Sequence, residues 1–183
     1  MLLNCVAYQN GLKLADLPVE EISDYLKRED CLVWVALRDA SDSELDKMQD
    51  EFGLHDLAVE DAWHGHQRPK IEEYGDTLFV AMHLVEAVNS ELEVGEISIF
   101  TGHNFVLSVR NRSKRNFLGV RDRCQLEPEL LKLGSGFVLY ALMDAVVDSY
   151  FPVIDDLETQ LETIEEHLFD NGTALTNIAQ LYE

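Results

Sequence analysis

The stretch "LNCVAYQNGLKLADLPVEEISDYLKREDCLVWVAL", Leu3 to Leu37, decides the fold class. Asn10 and Gly11 sit between two short apolar runs, and an Asn-Gly pair accepts the positive φ angles of a tight hairpin turn, so two strands are expected here. Pro18 opens a helix whose apolar Val19, Ile22, Tyr25 and Leu26 recur at helical spacing. "CLVWVAL", Cys31 to Leu37, is a continuous apolar run suited to a buried strand. The order is β-α-β, which calls for a sheet with helices packed on it.

Working outward, Ser41 and Glu44 form a capping-box pattern that starts a helix ending at Gly53. "HDLAVEDAW", His55 to Trp63, is a second short helix, and Pro69 disfavours a helical Arg68 and closes that region. Lys70–Ala87 and Glu91–Arg110 read as strands, with turns at Gly75-Asp76, Asn89-Ser90 and Gly102-His103-Asn104. The fold class expected is α/β: a mixed β-sheet flanked by helices, an α/β/α domain over residues 1–133. Residues 134–183 form a second unit, a long kinked helix and the start of a helical hairpin. In it Tyr140, Met143, Val147, Tyr150, Ile154, Leu157, Leu161, Ile164 and Leu168 recur at spacings of three and four, a heptad seam kinked at Pro152. "DNGT" then breaks the helix and "TALTNIAQLYE" begins another.

Hydrophobic residues make up 46% of the chain and charged residues 27%, the balance of a folded protein. Fourteen Lys and Arg against thirty-five Asp and Glu leave a net charge of −21, which repels nucleic acid and anionic lipid and makes cations the natural partners. Basic residues cluster in "RNRSKRNFLGVRDR", and none follows Lys132. With one aromatic, Phe117, that run reads as a solvated helix or a contact with an acidic helix. Cys5, Cys31 and Cys124 are too few and too scattered for a disulfide framework or a thiolate zinc site, which fits a reducing compartment. The start of the chain lacks the pattern of a signal peptide. The longest strongly apolar stretch, from Leu133, meets Asp144 after eleven residues, so no bilayer-crossing span is expected and the chain reads as soluble.

"EDAWHGHQRPKIEEYGD", Glu60 to Asp76, concentrates acids and histidines. Glu60 and Asp61 lie near the carboxyl end of a helix, where the dipole disfavours negative charge, so a positive group is expected nearby. Asp144 and Asp148, four apart on the long helix, share one face and repel unless a cation, a basic side chain or solvent intervenes. Oxygen-only donors suit Mg²⁺ or Ca²⁺, solvated carboxylates being the alternative. His64 and His66 flank Gly65, and no complete zinc ligand set, phosphate loop or Ser-His-Asp signature accompanies them.

Three segments together resemble the cytoplasmic amino-terminal region of the CorA family of divalent-cation (magnesium/cobalt) transporters: "FGLHDLAVEDAWHGHQRPKIEEYGDTLFVAM", "GEISIFTGHNFVLSVR" and "YALMDAVVDSYFPVIDDLETQLETIEEHLF". The resemblance implies an α/β/α cytoplasmic domain, then a helical hairpin and a stalk helix leading to two membrane spans and a Gly-Met-Asn pore motif, which this chain does not contain. It implies a regulatory domain rather than an enzyme, a homopentamer in the full-length protein, and an inner-membrane location with this part on the cytoplasmic side, reaching the membrane only through the carboxyl-terminal segment. Glu60 and Asp61 correspond to the family's acidic pair, and Asp144 and Asp148 fall on the helix carrying a further regulatory carboxylate. Regulatory Mg²⁺, weakly bound, is the implied ion, with Co²⁺ and Zn²⁺ the other candidates. The family's stalk carboxylate lies beyond Glu183. Without the stalk, the chain is expected to be monomeric or weakly associated. The alternatives are the cytoplasmic domain of a ZntB-like zinc transporter, to which the histidines point, and a soluble metal-dependent hydrolase using His64, His66 and nearby carboxylates.

Overall fold

The structure, a computed structural model, describes residues 1–88, 91–113 and 117–170. Seven strands form one mixed sheet: β1 (Leu2–Gln9), β2 (Leu12–Asp16), β3 (Cys31–Arg38), β4 (Lys70–Tyr74), β5 (Thr77–Val88), β6 (Glu91–Thr101) and β7 (Phe105–Asn111), in the order β2-β1-β3-β7-β6-β5-β4. Among the described residues only the central pair, β3 and β7, runs parallel, with Val35 opposite Leu107; every other pairing is antiparallel. The expected hairpin is present, with Asn10 and Gly11 at φ 51° and 79°. Gly11 also lies so close to the Pro128 carbonyl that a Cβ would sit 2.0 Å from its oxygen.

Side-chain alternation along the strands divides the interior in two. Val33, Val35 and Leu37 of β3, Phe79 and Ala81 of β5 and Leu107 and Val109 of β7 face one side, in a core covered by α1 (Ile22–Leu26), α2 (Asp42–Phe52) and α3 (Asp56–His64). Leu32 and Trp34, Val80 and Leu84, Ile97 and Ile99 face the other side. That side is covered by α4 (Leu118–Leu126), α5 (Pro128–Leu131) and α6 (Ser135–Asp148). The expected α/β/α layering is thus present, and its second helical layer includes α6, which lies beyond residue 133 because its apolar face packs on the sheet. Pro18 precedes a 3₁₀ turn, Val19–Glu21, before α1. The Ser41–Glu44 capping box opens α2, and Gly53 closes it in the left-handed conformation that its missing Cβ permits.

After α6 the chain bends through Ser149 and Tyr150 into α7 (Phe151–Asp170). Ser149 keeps helical angles but its N–H reaches the Val146 carbonyl, a tighter turn, and Pro152 in the first turn of α7 has no N–H to give. The kink expected at Pro152 is therefore centred on residues 149–152. Asp170 of "DNGT" ends α7; the rest of that break, the helix after it and Asn89-Ser90 lie outside the described residues, as do Lys114 and Arg115 of the basic run.

By length and composition the helical stretch 135–166 could cross a bilayer, contrary to the expectation from apolar run length alone. About 28% of its apolar window is buried, and in α6 Val138, Ala141, Leu142 and Val146 are at most 2% exposed against the sheet. The heptad seam divides the same way: Met143 and Tyr150 pack on the second core, whereas Tyr140, Val147, Ile154, Leu157 and Leu161 are exposed.

Candidate functional site

Helix α3 carries Glu60 and Asp61. His55 caps its start, the imidazole accepting from the Leu57 N–H at 3.2 Å. Its end is held by a row of side chains in register across three strands, His83 on β5, Glu96 on β6 and Asn111 on β7. Asn111 donates to the Ala62 carbonyl at 2.8 Å, Glu96 accepts from the Gln67 N–H at 3.2 Å, and His83 Nε2 meets the Gln67 carbonyl at 3.0 Å. Gly65, with φ 63°, turns the chain between these anchors. The loop through residues 65–69 is thereby pinned to the sheet, and it delivers Lys70 back toward α3.

The positive group expected beside the first acidic pair is Lys70. Its Nζ donates to Asp61 Oδ2 at 2.6 Å and pairs with Glu72 Oε2 at 2.8 Å, while lying 5.7 Å from the Phe79 ring centre. Partial burial pulls the Lys70 pKa down, but hydrogen bonds and charge from Asp61 and Glu72 outweigh this and hold the ammonium well above its ordinary value. The Glu72 carboxyl is lowered, first by Lys70 and then by the Tyr74 hydroxyl, which donates to it at 2.9 Å. Glu60 points outward, 61% exposed, into a groove of about 470 Å³ between α2 and α3 that Asp42, Asp46 and Asp56 also line.

On the other side of the sheet, Asp144 of α6 receives Arg123 Nη2 of α4 at 2.8 Å and the Tyr140 hydroxyl at 3.4 Å. The hydrogen bond to Asp144 raises the Arg123 pKa further. The basic run, read as a solvated helix or a contact with an acidic helix, makes one contact with an acid of α6 through this residue. Asp148, one turn on, is exposed.

The two acidic pairs thus share a pattern: one member is held by a base of its own chain and the other faces solvent. They do not meet. Ala58 and Ala62 seat α3 on the first core and Val138 and Leu142 seat α6 on the second, so the sheet separates the pairs. The histidines part as well. His64 Nδ1 lies 3.1 Å from the Glu60 carbonyl oxygen, whereas Arg112 reaches the His66 ring at 2.8 Å. Among the described residues no group of three or more His, Cys, Asp or Glu side chains is placed to hold a metal within one chain.

Lys70, Glu72 and Arg123 are the site residues that sequence reasoning missed as named partners. The helix-dipole argument called for a positive group beside Glu60 and Asp61, and the like-charge argument left a cation, a basic side chain or solvent open for Asp144 and Asp148. The two bases, Lys70 and Arg123, stand 9 and 21 positions from Asp61 and Asp144 along the chain, beyond helical spacing, and only the fold brings them in.

Residues 29–183 match the family model described as CorA-like Mg²⁺ transporter protein. The chain belongs to that family. It is 34% identical over 154 residues to YfjQ of Bacillus subtilis (strain 168), covering 84% of this chain and 46% of that protein. It is 30% identical over 122 residues to the cobalt/magnesium transport protein CorA of Thermotoga maritima, covering 65% of this chain and 35% of that protein. The solved soluble domain of CorA from Methanocaldococcus jannaschii shares the fold, with a TM-score of 0.65 at 19% identity over 97% of this chain and 70% of that one. This chain therefore spans less than half the length of either of the two relatives by sequence.

Proposed function

We propose that this chain is the cation-sensing, non-enzymatic cytoplasmic domain of a CorA-type magnesium and cobalt transport protein, and that Glu60, Asp61, Asp144 and Asp148 are its sensing residues. The observation that carries the reading is the placement of the two acidic pairs on opposite faces of one sheet. Head-to-tail contacts join two different patches of neighbouring copies, as patches on opposite sides of a subunit can, and they close into rings when the rotation allows. In a ring, such as the pentamer expected of the full-length protein, the α3 pair of one copy faces the α6 pair of the next. Four carboxylates then repel across the boundary unless cations screen them. Partly exposed oxygen donors suit a hydrated divalent ion such as Mg²⁺, which retains several waters and touches few carboxylates. Adequate Mg²⁺ favours the closed ring, and depletion loosens it; differential binding to the two states supplies the bias.

Leu57, exposed on α3, and Val147, exposed on α6, flank the two pairs and test the arrangement. The native cysteines are all buried and contribute little background. A Leu57→Cys, Val147→Cys double variant at high concentration, oxidised in Mg²⁺ against NaCl of equal ionic strength, is expected to give a ladder of linked copies that Mg²⁺ strengthens, while either single variant gives little. Dimers from Leu57→Cys alone, or a ladder indifferent to Mg²⁺, would contradict the head-to-tail contact. Zn²⁺ acting where Mg²⁺ does not would move the reading toward a zinc transporter.

A further inference from the structure

We propose that Lys70 is a tethered counter-ion that competes with the divalent cation for Asp61, and so sets the concentration at which the α3 pair responds. This rests on the cation-sensing reading above and adds its regulation. The Lys70 ammonium lies 2.6 Å from Asp61 and 2.8 Å from Glu72, bridging two carboxylates as a bound cation would. Strand β4 stands at the edge of the sheet, paired with β5 alone. The Lys70 side chain is one-quarter exposed, and that of Asp61 is 22% exposed, so solvent ions reach both.

The charges define the competition. Asp61, Glu72 and Lys70 together carry −1, and without the ammonium they carry −2. A divalent ion approaching Asp61 meets a positive charge already seated on one carboxylate oxygen, and must displace it or accept the repulsion. Because the ammonium is part of the chain, dilution does not remove it, whereas the free ion competes only at sufficient concentration. The result is a weak, adjustable response in place of tight permanent occupancy. Lys70 is a positioning and threshold residue in this scheme, not a ligand.

The test follows the amide signals of Asp61 and Ala62 by NMR in the 183-residue chain as Mg²⁺ is titrated at constant ionic strength. Lys70→Gln is expected to lower the half-saturating Mg²⁺ concentration about five- to tenfold, the scale expected for removing a unit charge within about 4 Å of a divalent ion in a water-like medium. Lys70→Met, which retains the apolar stem near Phe79, should do the same if the glutamine variant folds poorly. Lys70→Arg should stay near wild type. Lys13→Gln, which removes a lysine paired with Asp16 on the opposite edge strand, controls for net charge and should also stay near wild type. A response confined to the Lys70→Gln and Lys70→Met variants supports the proposal as complete masking by Lys70. Equal midpoints in wild type and these variants would overturn the Lys70 inference and leave cation sensing standing. No response in any variant would overturn both.

Discussion

Helices α3 and α6 carry equivalent acidic pairs on opposite faces of one sheet, yet they are seated differently. Helix α3 touches the sheet through Ala58 and Ala62, side chains of one carbon, and is held by polar bonds from Asn111, Glu96 and His83 around its end. Helix α6 is held by Val138, Leu142 and Val146 filling the second core. Small residues allow a close approach, and large ones supply apolar area. The first pair is therefore placed by fit and hydrogen bonds, the second by hydrophobic burial, and opposite substitutions should dislodge them.

Leu142→Ala removes a side chain 2% exposed and should cost about 2–5 kcal/mol, by lost burial and the cavity left behind. Chemical denaturation measures it, and a loss below 1 kcal/mol would mean that α6 is not seated as described. The converse change, Ala62→Leu at a fully buried site, should cost about 1–3 kcal/mol by overpacking, with the amides of α3 losing hydrogen-exchange protection before those of α6. Equal loss of protection in both helices would erase the contrast. Arg123→Met breaks a partly exposed pair and should change stability by only about 0–1 kcal/mol.

The pH response should report on the first face as well. Glu72 is depressed by Lys70, so the unfolded chain takes up that proton at a higher pH than the folded chain does. Its stabilising contribution is complete above the ordinary carboxylate range and is lost as pH falls through the depressed folded value. In Lys70→Gln the acid-induced loss of stability should be shallower across that window, read as the urea midpoint against pH; an unchanged slope would exclude Lys70 as the cause. The smallest effect is expected on α7, where Leu157→Ala, on an exposed seam, should stay within about 0.5 kcal/mol in this chain.

The elements legible in the sequence were those written in local chemistry. The Asn10-Gly11 hairpin, the Ser41–Glu44 cap with Gly53, the continuous apolar run of β3 and the bend near Pro152 each depend on neighbours within a few positions. The four candidate acids were also legible, as pairs on helices; the dipole argument called for a positive group near the first pair, and the like-charge argument left a cation, a base or solvent open for the second. Which base answered was not legible, because Lys70 reaches Asp61 only through the turn at Gly65 and Arg123 reaches Asp144 only when α4 packs beside α6. The division of the pairs between two faces was equally hidden. Strand order is a long-range property, and the parallel β3–β7 pairing joins segments more than seventy residues apart.

The most direct test of cation sensing is thermal unfolding in Mg²⁺ at constant ionic strength, comparing wild type with the Asp61→Asn, Asp144→Asn double variant. At free Mg²⁺ ten times the dissociation constant, mass action limits the stabilisation to about 1.4 kcal/mol, so a small rise in Tm is expected for wild type and a smaller one for the double variant. Equal shifts in the two proteins would show that these carboxylates are ordinary solvated surface, and would contradict the account.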